Sequence, residues 1–321
     1  MKRREFIALL AGASAWPLAA RAQQTTGTVV AGKGIRFDPR ITPVRRDLAA
    51  KYLAGIVEAE RFVEGQTYQI GASQAPVRST PSHGAALLTE ALKGERITIY
   101  EISEQGWAWG QLASDGYVGF LPAGALGAPG PVATHKVAAL RTFVFPGPSI
   151  KLPPMETLSF GSQLVIARVD ESFAMTASGG YVPAFHLAPI GTMETDFVAI
   201  AERFLGIPYL WGGKTSLGVD CSGLVQLALA ACGIPCPRDT DMQEQALRRA
   251  RAPTRDVEQF RRGDLLFWKG HVAIVRDDTT LVHANASRHM AVALEAIAAA
   301  IPRIGAIAGE ITSVRRLPPP A

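Results

Sequence analysis

The stretch YLWGGKTSLGVDCSGLVQ, from Tyr209 to Gln226, offers two competing chemistries. Its first half has the glycines and Lys-Thr pair of a phosphate-binding loop. Its second half sets a cysteine between an aspartate and an apolar run. The phosphate reading fails on spacing. A Walker-type loop needs a glycine, four residues and then Gly-Lys-Ser/Thr; with Gly213-Lys214-Thr215 as its end, the first glycine falls on Pro208. No helix follows Thr215 directly either, because SLGVD intervenes. Gly212 and Gly213 are then loop glycines, and Lys214 is expected to be solvated.

The second half survives. Asp220 suits a helix N-cap and puts Cys221 in the first turn of a helix, CSGLVQLALAA, that stops at Gly233. Unpaired backbone N–H groups and the helix dipole favour an anion there, and in such settings a cysteine pKa falls to roughly 3.5–7.5. The same residue also reads as a small buried hydrophobe. Two histidines favour the reactive reading. His271 opens the strand HVAIVR and His283 lies in LVHANA, with DDTT as a turn between them. A hairpin closed by Val275 opposite Thr279 sets His271 directly across from His283, with Cβ atoms about 4.5–5.5 Å apart. One imidazole can then orient the other beside a nucleophile. Zinc on Cys221, His271 and His283 is a competing use of the same three residues, but neither HExxH nor a second cysteine pair accompanies them. No metal or other cofactor is expected. His83, His135, His186 and His289 have no comparable setting.

Working outward, the 321 residues are 48% hydrophobic and 19% charged, enough for several globular units. The first 22 residues stand apart: a basic start, an apolar run from Phe6 to Ala20 and the pattern Ala20-Arg21-Ala22 match a cleavable export signal. The paired arginines resemble a twin-arginine signal. Pro17 interrupts the run, which is shorter than the roughly 20 apolar residues of a membrane span, so stable membrane insertion is not expected. Lys2, Arg3, Arg4 and Arg21 against Glu5 supply three of the five formal positive charges. The remainder is nearly neutral and has no basic stripe interleaved with aromatics, which argues against nucleic acid as a partner. With three cysteines, at least one thiol is left over; Cys232 and Cys236 flank a loop too short for an easy bridge.

Residues 23–65 read as a leader with a short helix from about Asp47 to Val57. Residues 66–130 and 131–191 then show short alternating runs punctuated by Gly, Pro, Ser and Asp, the texture of β structure. GERITIYEISEQGWAWGQLASDGYVGFLPAGAL (Gly94 to Leu126) lies over GSQLVIARVDESFAMTASGGYVPAFHLAP (Gly161 to Pro189), each with two strands, Gly-Tyr-Val and a proline. That implies two copies of one small barrel, joined by GAPGPVATH. From 192 to 321 the pattern is helices followed by three strands, DLLFW, HVAIVR and LVHANA, an α+β domain with a frayed tail RRLPPPA.

PYLWGGKTSLGVDCSGLVQ, GIPCPRDTDMQ, RRGDLLFW, GHVAIV and LVHANA follow one another in the order seen in the NlpC-type family of papain-like cysteine peptidases, which the 192–321 segment resembles. The two repeated units resemble bacterial SH3-like domains. The fold class expected is two small all-β SH3-like barrels followed by an α+β papain-like catalytic domain. The layout looks most like the γ-D-glutamyl-L-diamino acid endopeptidases, which cut peptidoglycan stem peptides. The resemblance implies Cys221 as nucleophile, His271 as general base and His283 as the residue that holds it. It places Tyr209 near the oxyanion, and Trp211, Asp220 and Ser222 at cleft positions. Asp239 would read the free amine of a stem peptide beginning with L-Ala, although in the residues alone it also reads as a helix cap. Tyr117 would reach the cleft from the first barrel, although Tyr181 holds the same place in the second copy. A further acid of some relatives falls on Ser82, His83, Gly84 or Ala86, with Glu90 the nearest carboxylate. The implied partners are peptidoglycan-derived peptides and the implied location is the periplasm. Anchored cleavage of intact wall, and amidase or acyltransferase action on another substrate, remain alternatives.

Overall fold

The computed structural model describes residues 29–30, 36–247 and 256–317. The export-signal reading of residues 1–22 lies outside them. No helix among the described residues is long and apolar enough to cross a membrane.

The leader contains no α-helix between Asp47 and Val57. Strand Leu48–Ala50 pairs in parallel with Arg61–Val63, and a 3₁₀ turn, Lys51–Leu53, joins them. Two local causes oppose the expected helix. Asp47, its natural N-cap, gives both carboxylate oxygens to Arg45 at 3.0 and 2.6 Å. Leu48, Ala49 and Ala50 are all buried in succession, which suits an extended segment covered on both faces better than an amphipathic helix. Leu48 packs with Trp109 and Val118 of the following unit.

From Gln66 to Gly127 an antiparallel seven-stranded sheet runs in the spatial order 126–127, 66–70, 96–102, 107–112, 118–122, 74–78, 87–92. Ile70, Val77, Ile97, Ile99, Leu112 and Leu121 fill it. Bulges between Ile99 and Glu101 and between Val77 and Arg78 bend the strands, as a small curled sheet requires. A second β unit spans His135–Pro189, with Val137, Val144, Leu158, Leu164 and Val182 as its core. Both units end alike: strand Val118–Pro122, turn Ala123–Ala125 and strand Leu126–Gly127 correspond to Tyr181–Pro183, Ala184–His186 and Leu187–Pro189.

The C-terminal unit contains α1 (Phe197–Glu202), α2 (Cys221–Ala231), α3 (Thr240–Ala246) and α4 (Ile297–Ala308). Its antiparallel sheet has five strands rather than the three expected, ordered Ala291–Ala296, Thr280–Asn285, His271–Val275, Asp264–Trp268, Ser313–Arg316. The additional AVALEA strand and α4 are alanine-rich, and Pro302 sits inside α4, so propensity hides both. The tail is not frayed at Arg315 and Arg316. They lie in the edge strand, and Arg316 pairs with Asp264 at 2.7 Å. One face of the sheet packs on α2 through Val272, Ile274, Val282 and Ala284. The other packs on α4 through Ala273, Val275, Leu281, Ala300 and Ile304.

Candidate active site

Asp220 caps α2, its Oδ1 accepting from the Gly223 N–H at 2.7 Å. Arg238 clamps the same carboxylate, Nη1 on Oδ1 at 2.9 Å and Nη2 on Oδ2 at 2.8 Å, and also donates to Ser222 Oγ. Asp220, Ser222 and Arg238 are all essentially inaccessible. Asp220 and Ser222 therefore do not line the cleft as expected; they fix the helix start that carries Cys221.

Cys221 is itself buried, 4% exposed, with Sγ 3.9 Å from Thr240 Oγ1 and within reach of the Val272 backbone N–H. Its thiol pKa is not depressed. Burial, aided by the Asp220 carboxylate, pushes it up to about 11, so in this closed arrangement desolvation outweighs the helix N-terminus. Burial likewise holds His271 well below its ordinary 6.5. Both shifts favour the uncharged forms, a thiol and a free imidazole.

His271 Nε2 and His283 Nδ1 are 3.0 Å apart. The two residues are not directly opposed. The hairpin pairs Ile274 with Val282 and Val275 with Leu281, which moves the register by two residues from the expected one and places the histidines diagonally on one face. The line continues. Glu295 pairs across from Leu281 on the next strand, diagonal to His283, and its Oε2 accepts from His283 Nε2 at 3.1 Å. Arg303 of α4 holds Glu295 with Nε on Oε1 at 2.8 Å and Nη2 on Oε2 at 2.6 Å. The chain fixes tautomers. A carboxylate on Nε2 makes that atom the N–H of His283, leaving Nδ1 to accept from His271 Nε2–H. His271 Nδ1 is then the free base. Sequence reasoning missed Glu295, yet His271, His283 and Glu295 stand twelve residues apart in turn, the repeat of one meander.

Tyr209 and Trp211 line a cleft beside His271. Burial together with Cys221 and Asp220 raises the Tyr209 phenol, which stays a donor. Tyr117 and Asp239 meet, the phenol donating to Asp239 Oδ2 at 2.9 Å. Asp239 occupies the N-cap position of α3 but makes no side-chain cap bond; its carboxylate also receives Arg40 Nη1 from the leader at 2.9 Å. Arg40 additionally grips Asp38 and Asp241, and its carbonyl accepts from the Val118 N–H at 2.7 Å. Nothing in the sequence singled out Arg40.

Lys214 is buried, not solvated, with Nζ 3.1 Å from Glu95 Oε1 in the first β unit. Glu90 accepts from the Lys214 N–H at 2.9 Å, so it docks the two units rather than facing a ligand. Gly212, at φ +75, comes so close to this unit that a Cβ would lie 2.6 Å from the Leu87 carbonyl oxygen. All three cysteines are free.

Comparison with known proteins agrees with this layout. Residues 77–126 match the bacterial dipeptidyl-peptidase Sh3 domain, and residues 206–299 match the NlpC/P60 family. Dipeptidyl-peptidase 6 of Lysinibacillus sphaericus is 37% identical over 92 residues, 28% of this chain and 32% of that protein. A γ-D-glutamyl-L-lysine dipeptidyl-peptidase of Bacillus cereus is 33% identical over 97 residues, 28% of each chain. The matched segments thus span about a third or less of these curated relatives. A solved NlpC/P60 family protein from Bacillus cereus superposes over 78% of this chain and 99% of its own, with a TM-score of 0.64 at 21% identity. An SH3 domain followed by an NlpC/P60 domain is therefore the framework of this chain, strand-rich with few helices, and its residues 206–299 are similar to the NlpC/P60 family.

Proposed function

We propose that the chain is a periplasmic cysteine endopeptidase that hydrolyses the γ-D-glutamyl–diamino acid bond of short peptidoglycan stem peptides. The observation that carries this reading is the meeting of Tyr117 and Asp239, donated by two different domains, next to Thr240, whose Oγ1 lies 3.9 Å from Cys221 Sγ. Among the described residues Asp239 Oδ1 takes no hydrogen bond, which leaves an acceptor for a substrate ammonium. Arg40 and Asp38 make the leader part of that cluster. In this reading Tyr117, Asp239 and Arg40 close one end of the substrate groove, which suits a peptide whose terminus stops there. The names of the matched relatives accord with such a substrate, and residues 1–22 with export.

In this reading Cys221 Sγ attacks the γ-carbonyl of D-Glu as its proton passes to His271 Nδ1. The oxyanion forms beside the helix start and the Tyr209 phenol. The C–N bond breaks as His271 returns the proton to the departing amine. Water, deprotonated by His271, then releases the L-Ala-D-Glu acyl group from sulfur. His283 and Glu295 hold the imidazole. The second β unit, whose closing strand–turn–strand repeats that of the first, is a second SH3-like copy, giving domains at 66–130, 131–191 and 192–321.

The test is a parallel digestion of the free tripeptide L-Ala-γ-D-Glu-diaminopimelate and of intact sacculi. Cleavage of the tripeptide with sacculi untouched is expected. Solubilised sacculi with the tripeptide intact would favour an anchored wall hydrolase instead.

A further inference from the structure

The cleft beside His271 has a volume of about 160 Å³, the share of about five waters in the liquid. Tyr209 and Trp211 form its apolar wall together with Ile307 of α4, and its polar lining includes Lys269, Ser287 and Arg303. Its charge is one-sided. Lys269 is exposed and has no ion pair among the described residues. Arg303 is committed to Glu295 and to Ser287 Oγ at 2.7 Å, and Arg288 approaches the same Glu295 at 3.7 Å. Two arginines thus share one buried carboxylate, Lys269 has none, and no carboxylate lines the cleft among the described residues. Chemistry assigns the cleft a side of the scissile bond. His271 gives its proton to the departing amine, so the departing amino acid lies on its side, while Tyr117 and Asp239 are absent from this lining.

We propose that this cleft receives the departing diamino acid and selects one whose side chain ends in a carboxylate, diaminopimelate, over one ending in a lone ammonium, lysine, with Lys269 as the selecting cation. The inference rests on the proposed peptidase reaction. A lysine side chain would bring a third positive charge, beside Lys269 and Arg303, into a lining that has no acid to receive it. A diaminopimelate side chain brings no net charge and an oxygen pair for Lys269. The Bacillus cereus relative is named for an L-lysine substrate; this chain is assigned the other choice on its own residues.

The test measures kcat/KM for L-Ala-γ-D-Glu-meso-diaminopimelate and L-Ala-γ-D-Glu-L-lysine with the wild type and Lys269→Glu. The wild type should favour diaminopimelate by about tenfold or more. An exposed charge contributes modestly, so reversal rather than removal is used, and it should shrink that preference roughly fivefold or more. Equal cleavage of both tripeptides overturns this inference and leaves the peptidase reading standing. Cleavage of neither overturns both. A diaminopimelate preference unchanged by Lys269→Glu overturns the assignment to this cleft.

Discussion

At the scale of single residues, the site is organised by what burial does to its charges. Burial lowers His271 and raises Cys221, which favours a free imidazole and a protonated thiol at neutral pH. Activity through general-base attack needs His271 unprotonated. Because its pKa lies below 6.5, the acid limb of a kcat/KM profile is expected below pH 6.5, and the alkaline limb should track the thiol toward about 11. An acid limb above 6.5 would show that the imidazole is charged at rest. Glu295 works one step further back. In Glu295→Gln the side chain can present its NH₂ group to His283 Nε2, which favours the wrong tautomer. We expect kcat to fall by about tenfold or more, a part of the roughly 10²–10⁴ of a whole general-base contribution, with KM little changed. An unchanged kcat would reduce Glu295 to a packing partner of Arg303. The sequence made Cys221 and the histidine pair legible because a short polar signal in an apolar context survives a register shift of two residues, which keeps both histidines on one face. It hid Glu295, whose meaning depends on a fourth strand that its alanines disguised.

At the scale of elements, the start of α2 depends on one buried ion pair. Asp220 receives the helix N–H and two guanidinium bonds with no water to replace them. Removing one partner of such a pair strands the other charge, which costs about 3–5 kcal/mol. Arg238→Ala should therefore lower the melting temperature sharply, measured by calorimetry, and a shift of under a degree or two would contradict this role. Helices α1 and α2 read well from the sequence because their caps are local: Asp196 accepts from the Val198 and Ala199 N–H groups, and Gly233 stops α2 at φ +74. The hairpin register did not. Direct and diagonal pairing leave both histidines on the same face, so facing alone cannot choose between them. Asp239 shows the converse. It sits where a cap belongs, and only the fold reveals that Tyr117 and Arg40 have taken its carboxylate.

At the scale of the whole molecule, the first β unit is part of the active-site architecture. It reaches the C-terminal unit through Tyr117–Asp239, Glu95–Lys214, Thr89–Arg238 and Asp115–Gln226. Tyr117→Phe keeps the ring and removes only the hydroxyl, so it should raise KM for a free-amine tripeptide several-fold, in keeping with about 0.5–1.5 kcal/mol for one hydrogen bond. An N-acetylated tripeptide should be insensitive to the change; equal losses on both would place Tyr117 outside amine recognition. Contacts of this kind, and the leader's grip on Asp239 and Asp241 through Arg40 about two hundred positions earlier in the chain, depend on tertiary approach and leave no local pattern to read. The central claim is tested most directly by mass spectrometry of the free tripeptide L-Ala-γ-D-Glu-diaminopimelate after incubation with the wild type and with Cys221→Ala. The account requires L-Ala-D-Glu and free diaminopimelate from the wild type and an intact tripeptide from the variant. The same products from Cys221→Ala, or scission at the L-Ala–D-Glu bond, would contradict it.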